Sequence, residues 1–453
     1  MMNIAQLIQR CIDELPQARA EHKPRKIVLA YSGGVDSEIL AQGLSLFATQ
    51  QPQFEYQLVH VHHGLSHNAD DWAKHCQAQA ALYRLPCTIA RVEVTIAPRV
   101  SIEAQARTVR YQALLSQMEP ADILLTAHHQ DDQLETILLA LKRGLGPKGL
   151  SAMGRVQPFD NDKWLIRPLL DLSKVDVEAY AKRHGICHIQ DESNFDEKYD
   201  RNFLRQSIIP SLKQRWSAIA ATASRSAELC AMQQSVVDEE MAARLPSIQR
   251  LQGEESVIEL AALAEHSKAW QALLLRGQMD QLGFAPPSKV QAEQILSQLL
   301  DAKADANIEI KLADVVIKRF KGAGYFLALT KEAPLSNITV LSINELVAQG
   351  IACGTGKRVQ ADLFLGVGVR LPREDEKVTI EFSLPGSTRC QPHNRNKGRE
   401  LKKLWQEFAV PPWVRAKVPL LCYNGKLVSA IGYWNEKAYL CSESETGLTL
   451  KSR

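Results

Sequence analysis

The chain has 453 residues, which excludes a single ordinary core and implies two to four domains of roughly 100–200 residues each. Hydrophobic residues at 45% and charged residues at 23% exclude wholesale disorder. The net charge of +3 leaves no uniformly basic surface, so any nucleic-acid argument must rest on where the charges cluster.

The start, MMNIAQLIQRCIDEL, has the pattern of a polar-interrupted amphipathic helix, without a basic segment followed by an apolar one. No later stretch approaches 18 uninterrupted apolar residues. Nine scattered cysteines form no C-x-x-C pair and match no histidine spacing, so neither zinc nor an iron–sulfur cluster is signalled. The expectation is a soluble cytoplasmic protein with reduced thiols and no membrane partner.

From about residue 25 to 190, short apolar runs alternate with helical patterns. KIVLAY, FEYQLVHVHH, CTIARVEV and ADILLTAHH read as strands, separated by helices such as DDWAKHCQAQAALYRL, SIEAQARTVRYQALLSQM and DDQLETILLALKRG. This alternation predicts βαβ units on a parallel sheet, with ligands at the carboxyl ends of the strands. SGGVDS, HHGL and AHHQDD all fall at those ends and are expected to converge on one crevice.

Beyond residue 201 the pattern becomes mostly helical to about residue 300, and IEIKLADVVIKRFKGAGYFLALT reads as strands closing that region. KEAPLSNIT reads as a linker into a last domain of short strands and turns. The expected fold class is α/β: a parallel-sheet domain over 1–215, a mainly helical domain over 216–332, and a small α+β domain over 333–453.

SGGVDS carries most of the chemistry. A glycine-rich turn from a strand into a helix offers backbone N–H groups and the positive end of a helix dipole to phosphate. Gly33 and Gly34 let the backbone approach closely, Ser32 and Ser37 add hydroxyls, Val35 completes the ATP-binding loop, and Asp36 is placed to hold Mg²⁺ or a water next to it. An ordinary βα turn is the plain alternative. Neither G-x-x-x-x-G-K-[ST] nor G-x-G-x-x-G is present. The missing lysine, which elsewhere serves the γ-phosphate, suits a grip on a pyrophosphate leaving group.

SGGVDS resembles the signature of the PP-loop, or N-type ATP pyrophosphatase, superfamily. That resemblance implies an adenine nucleotide α-hydrolase-like fold and ATP cleavage between the α and β phosphates, with adenylation of a substrate oxygen. HHGL, EAQARTVRY, AHHQDDQLET, RGLGPKGLSAM, RPLL and DESNFDEKYDRNFLRQSIIP, in this order, resemble the tRNA(Ile)-lysidine synthase family. GSTRCQPHNRNKGRELKKLWQEFAVPPWVRAKVPLL is similar to that family's terminal domain.

The resemblance implies an enzyme that joins L-lysine to C2 of the wobble cytidine in the CAU anticodon of tRNA(Ile), so that the tRNA reads AUA as isoleucine. Its co-substrate would be ATP with Mg²⁺, and its products lysidine, AMP and pyrophosphate. The middle domain would bind substrate and the last would bind tRNA. The oligomeric state is left open, a homodimer included. The rivals are a 2-thiocytidine synthetase, which would carry the cluster cysteines this sequence lacks, and a non-catalytic, nucleotide-responsive RNA-binding protein.

Candidate residues follow motif by motif. Asp132 and Glu135, three apart on a predicted helix, put two carboxylates on one face near its N-terminus, for an ammonium group, for Mg²⁺, or merely for the helix dipole. His128 stands beside them at a strand end. Glu103 and Arg107 are spaced as an i,i+4 ion pair, while the resemblance gives Glu103 and Arg110 a place lining the crevice for lysine or the cytidine. In RNFLR, Arg201, Asn202 and Arg205 share a helical face, either solvated or facing tRNA or substrate.

Arg389, Arg395, Lys397, Arg399, Lys402 and Lys403 form the clearest cationic cluster and are assigned to tRNA phosphates. Trp405 and Trp413 are assigned to the core, because LKKLWQEF repeats apolar residues at helical spacing.

Overall fold

The computed structural model describes residues 3–16, 26–64, 66–93, 102–160, 162–192, 196–252, 255–303, 306, 308–329, 335–340, 343–353 and 358–452, with the side chains of residues 102–104 outside that set. The chain divides into two units, residues 1–240 and 241–453.

In the first unit, α1 (Ile4–Asp13) precedes β1 (Lys26–Ala30), α2 (Val35–Gln50), β2 (Glu55–His62), α3 (Ala69–Leu82), β3 (Cys87–Arg91), α4 (Ile102–Leu115), β4 (Ile123–Leu125) and α5 (Gln130–Lys142). There follow α6 (Pro147–Leu150), β5 (Val156–Phe159), β6 (Lys163–Ile166) and α7 (Lys174–His184). Then come α8 (Asp200–Phe203), a π-helical turn at Leu204–Ile208, α9 (Ile209–Arg215) and α10 (Ile219–Ile248), whose last eight residues belong to the second unit.

The strands form one sheet in the order β3-β2-β1-β4-β6-β5. The first five of these are parallel. β5 adds an antiparallel edge that the sequence reading did not anticipate. Alternation explains why both faces of the sheet are covered. Ile27 and Leu29 pack with Ile39, Leu40 and Leu44 of α2 and with Ile4 and Ile8 of α1. Val28 points to the opposite face and packs with Val59, Leu114, Leu124 and Leu165. The chain passes from β1 to β2 on one side and later returns to β4 on the other. The loop after β1 therefore sits where the strand order reverses, which is where open α/β sheets leave a crevice.

In the second unit, β7 (Gln249–Gln252), β8 (Glu255–Glu259), α11 (Leu260–Ala264), α12 (Lys268–Gln281), α13 (Lys289–Asp301), β9 (Glu309–Lys311), β10 (Val315–Phe320) and β11 (Ala323–Ala328) come first. Their strands make an antiparallel sheet ordered β7-β8-β11-β10-β9. Leu274, Leu275 and Met279 of α12 and Ile295 and Leu299 of α13 pack with Val315 and Ile317 of β10. β9 to β11 are the strands expected to close the helical region. β7 and β8 are additions, too short and too polar to show a period of two.

The remaining chain runs through β12 (Ile338–Val340), α14 (Ile343–Ala348), β13 (Ile351–Ala352), β14 (Arg358–Leu365), β15 (Val369–Arg370), β16 (Val378–Glu381), β17 (Arg389–Cys390), β18 (Arg399–Glu400), α15 (Leu401–Glu407), α16 (Pro412–Arg415), β19 (Leu420–Tyr423), β20 (Lys426–Ala430), β21 (Trp434–Asn435) and β22 (Thr446–Ser452). Of the expected linker KEAPLSNIT, residues 331–334 lie outside the described residues, and Ile338 and Thr339 belong to β12. Among the described helices, none is long and apolar enough to cross a membrane.

Candidate active site

The loop after β1 is built from its own side chains. Ser37 Oγ donates to the Gly34 carbonyl at 3.0 Å, Ser32 Oγ lies 3.0 Å from Ser37 Oγ, and Gly34 N–H donates to Ser32 Oγ at 3.3 Å. Gly33 has φ +81°, in the left-handed region, and its carbonyl accepts from Ile189 N–H at 2.8 Å. A Cβ on Gly33 would come within 2.4 Å of Ile189 Cδ1 and 3.0 Å of Cys76 Sγ. Val35 opens α2, with Gly34 as its N-cap, so the first turn of that helix faces the crevice with N–H groups that have no partner within the helix.

Glu38, one residue beyond the motif, is fully buried. It accepts from Tyr31 Oη at 2.5 Å and Tyr83 Oη at 2.9 Å, and lies 3.0 Å from His75 Nε2. These partners tie α2 to β1 and α3 beneath the loop. Burial pushes the Glu38 carboxyl up even though the three hydrogen bonds act against it.

Two of the three strand-end clusters meet: His129 Nε2 lies 3.8 Å from Asp36 Oδ2. His60 of β2 lies with its Nδ1 3.0 Å from the Tyr31 carbonyl, whereas the HHGL histidines His62 and His63 turn to Asp70 and Arg110. His129 caps α5: its Nδ1 accepts from the N–H groups of Asp131 (3.2 Å) and Asp132 (3.4 Å), while Asp132 Oδ2 accepts from His129 N–H at 2.9 Å. An Nδ1 that accepts leaves the ring hydrogen on Nε2, the atom turned towards Asp36. Nothing in HHQDD says which histidine will be the cap, so the motif alone does not single out His129.

Asp132 and Glu135 are both buried, so the α5 carboxylates are not a solvated first turn. Arg205 clasps them: Nε donates to Glu135 Oε1 at 2.7 Å, and Nη2 donates to Glu135 Oε2 at 3.0 Å and to Asp132 Oδ1 at 3.1 Å. Burial opposes the charge on Asp132, but His129, its N–H and Arg205 outweigh it and hold the carboxyl below its usual range. For Glu135 burial wins and raises the carboxyl despite Arg205. Burial also raises Asp36, with His129 lowering it and Asp132 raising it further.

Arg205 stands in the π-helical turn between α8 and α9, a distortion often found at functional sites. Lys213 of α9 forms an ion pair with Asp131. A cavity of about 200 Å³ opens between α5, the start of α7 and α9, where Asp131, Glu135, Lys174, Arg205 and Lys213 meet. Neither Lys174 nor Lys213 was singled out from sequence, because lone lysines in LSKVD and SLKQR carry no motif.

His128 accompanies this group. Its Nδ1 lies 2.9 Å from Thr126 Oγ1, and burial lowers its pKa to about 3, which keeps the ring neutral. Arg110 Nε donates to His63 Nε2 at 3.3 Å, and Arg201 Nη2 lies 3.5 Å from Thr136 Oγ1. Burial, with Arg110 adding to it, lowers His63 to about 4. Asn202 is buried, with Nδ2 donating to the Asp196 carbonyl at 2.9 Å. The side chain of Glu103, at the start of α4, lies outside the described residues. Tyr111 packs against Phe159 with ring centroids 5.5 Å apart.

The basic cluster lies in the second unit. Arg395 and Arg399 both pair with Glu407, the latter at 2.7 Å, and Lys402 and Lys403 each approach Glu400 at 3.4 Å. Arg389 and Lys397 are exposed. Trp405 is buried with Leu401 and Leu404, and Trp413 packs edge-on to Tyr325 and Phe320.

A parallel sheet with an SGGVDS loop at its switch point, facing an acidic helix start, defines a PP-loop nucleotide-binding domain. A family profile described as PP-loop domain matches residues 4–212. Profiles described as TilS substrate binding domain and TilS substrate C-terminal domain match residues 259–325 and 378–451.

Over its length the chain is similar to tRNA(Ile)-lysidine synthase of Shewanella woodyi, with 56% identity over 93% of this chain and 92% of that protein. It is 52% identical to the Shewanella oneidensis protein of the same name, over 98% and 97% of the two chains. The Escherichia coli O157:H7 protein of that name is 40% identical over 90% and 92%. The chain belongs to the tRNA(Ile)-lysidine synthase family, and it is an enzyme.

Proposed function

We propose that the chain forms lysidine on tRNA(Ile) in two displacements at one crevice. In the first, the C2 oxygen of the wobble cytidine in the CAU anticodon attacks the α-phosphorus of ATP, and pyrophosphate leaves. In the second, the ε-amine of L-lysine attacks C2, and AMP leaves with the oxygen. Adenylation turns a poor leaving oxygen into a good one and divides a hard substitution into two easier steps. The modified tRNA then reads AUA as isoleucine, in the cytoplasm.

The observation that carries this reading is the SGGVDS loop facing Asp132 and Glu135 at adjacent strand ends, in a chain similar end to end to lysidine synthases. The loop hydroxyls and N–H groups bind the phosphates. Asp132 and Glu135 position the amino groups of lysine, and Arg205 holds both carboxylates in place while they wait. The attacking amine must be neutral although free lysine has a pKa near 10.4, so the step requires a base to take its proton or a site that depresses its pKa and passes the proton to water.

Mg²⁺ takes one or two carboxylates plus substrate phosphates rather than a full protein cage. Asp36 fits that role: its side chain is about one-third exposed, at the mouth of the loop. No three-residue metal cluster occurs among the described residues, as such a site would not require one. The ion would offset charge on the departing pyrophosphate. Arg110 and Arg201 line the approach for the anticodon, with Asn202 fixing the backbone beside Arg201. Arg389, Arg395, Lys397, Arg399, Lys402 and Lys403 contact tRNA phosphates elsewhere.

Protein, ATP, Mg²⁺, labelled lysine and the CAU transcript are expected to yield a nucleoside with the mass of lysidine, with one pyrophosphate per lysine joined. Asp36→Asn is expected to lower the rate at least about 100-fold while tRNA affinity stays within about two-fold. An unlabelled transcript with the wild-type protein, or normal turnover in the variant, would sink the reading.

A further inference from the structure

Asp131 is the first acidic residue of α5 and only 7% exposed. Lys213 engages its Oδ2, while its Oδ1 is buried without a hydrogen-bond partner among the described residues. A buried carboxylate oxygen left unpaired is costly, the more so when charged, unless a donor comes to it. That residue lines the cavity it shares with Glu135, Lys174, Arg205 and Lys213, so the donor can be a ligand.

The lining narrows the ligand class. A phosphate would be repelled by Asp131 and Glu135, whereas Lys213 and Lys174 already face Asp131 and Glu178, so the unanswered group is the free carboxylate oxygen of Asp131, which calls for a cationic donor. An ammonium with a carboxylate beside it meets that oxygen and the N–H donors that Lys213 keeps free of its contact with Asp131. An ammonium has three N–H donors, and the Lys213 contact with Asp131 uses one. Ile209 and Pro210 supply an apolar wall for methylenes.

We propose that the Asp131–Lys213 pair reads the zwitterionic head of the amino acid substrate. Asp131 Oδ1 accepts from the α-ammonium, and Lys213 faces the α-carboxylate. This rests on lysine being the substrate, as proposed above. It also separates the two amines by role. The α-ammonium stays charged and suits a carboxylate already in an ion pair, whereas the ε-amine must shed its proton and belongs at the other end, towards Asp36 and the loop.

The test uses the full-length protein with tRNA and ATP, measuring KM for lysine and inhibition constants for two analogues. Cadaverine lacks the carboxylate and 6-aminohexanoate lacks the α-amine. Lys213→Met is expected to raise the lysine KM and the 6-aminohexanoate constant about ten-fold while cadaverine stays within about two-fold. Asp131→Asn is expected to raise the lysine KM and the cadaverine constant similarly and to spare 6-aminohexanoate. Lys213→Arg recovers most of the loss if charge is what matters.

Equal shifts for all three compounds overturn the assignment, as do lysine KM values within two-fold of wild type in both variants. If Asp131→Asn does not fold, Lys213→Met and Lys213→Arg carry the test. Failure of the wild type to join lysine at all would instead overturn the parent reading.

Discussion

Gly33 is held by two constraints of different origin. Its φ of +81° disfavours any side chain, by roughly 1–2 kcal/mol. Its missing Cβ also leaves the space that Ile189 Cδ1 and Cys76 Sγ occupy. Gly33→Ala is therefore expected to destabilise the protein by about 2–4 kcal/mol in urea unfolding and to raise the KM for ATP more than it lowers kcat. Adding Ile189→Ala removes the clash but not the backbone strain, so about 1–2 kcal/mol is expected to remain. Full recovery in the double variant would show that φ contributes nothing.

At this scale the motif residues were legible because SGGVDS follows an apolar strand and opens a helix. Glu38 and Asp131 were not, since a buried carboxylate and an exposed one look alike in sequence. What separates them is contact with residues 37 to 82 positions away: Tyr83 and His75 for Glu38, Lys213 for Asp131.

Among the elements, α5 shows how a helix start becomes a site. His129 and Asp132 cap each other, which fixes the backbone of the first turn and points Asp132 and Glu135 along one face. The π-helical turn then brings Arg205 onto that face. Arg205→Met leaves two buried carboxylates without their cation, and a loss of about 3 kcal/mol in urea unfolding is expected. Combining it with Glu135→Gln is expected to return at least half of that stability without restoring activity. Two independent, additive losses would show that the residues do not act as a pair.

The spacing of RNFLR reads as helix, and Arg201 and Asn202 do lie in α8, but Arg205 falls in a π turn whose extra residue has no sequence signal, so its target could not be read. The hairpin β5–β6 was missed for a related reason: its strands have four residues each, and Pro158 sits in one of them.

For the whole molecule the relevant quantity is charge distribution. A net charge of +3 hides a cluster of six cations between Arg389 and Lys403, opposed by Glu400 and Glu407. Arg395 and Arg399 pair closely with Glu407, whereas Lys402 and Lys403 share Glu400 only at 3.4 Å and Lys397 is exposed, so these three lysines have more to offer to phosphate. Replacing these three by Ala is expected to weaken tRNA binding and to reduce the slope of log affinity against log salt by about 2–3. The kinetics of lysine joining at saturating tRNA are expected to stay near wild type. An unchanged salt slope would remove the cluster from the interface.

The sequence by itself determined the α/β class, the loop chemistry and the family, because strand and helix periods, turn glycines and motif order are local properties written along the chain. Tertiary structure decided which carboxylates are buried, which cation answers each of them, and which oxygen is left unpaired beside a cavity. Those depend on α5, α7 and α9 meeting at one place, and burial and pairing are properties of that meeting rather than of any segment alone.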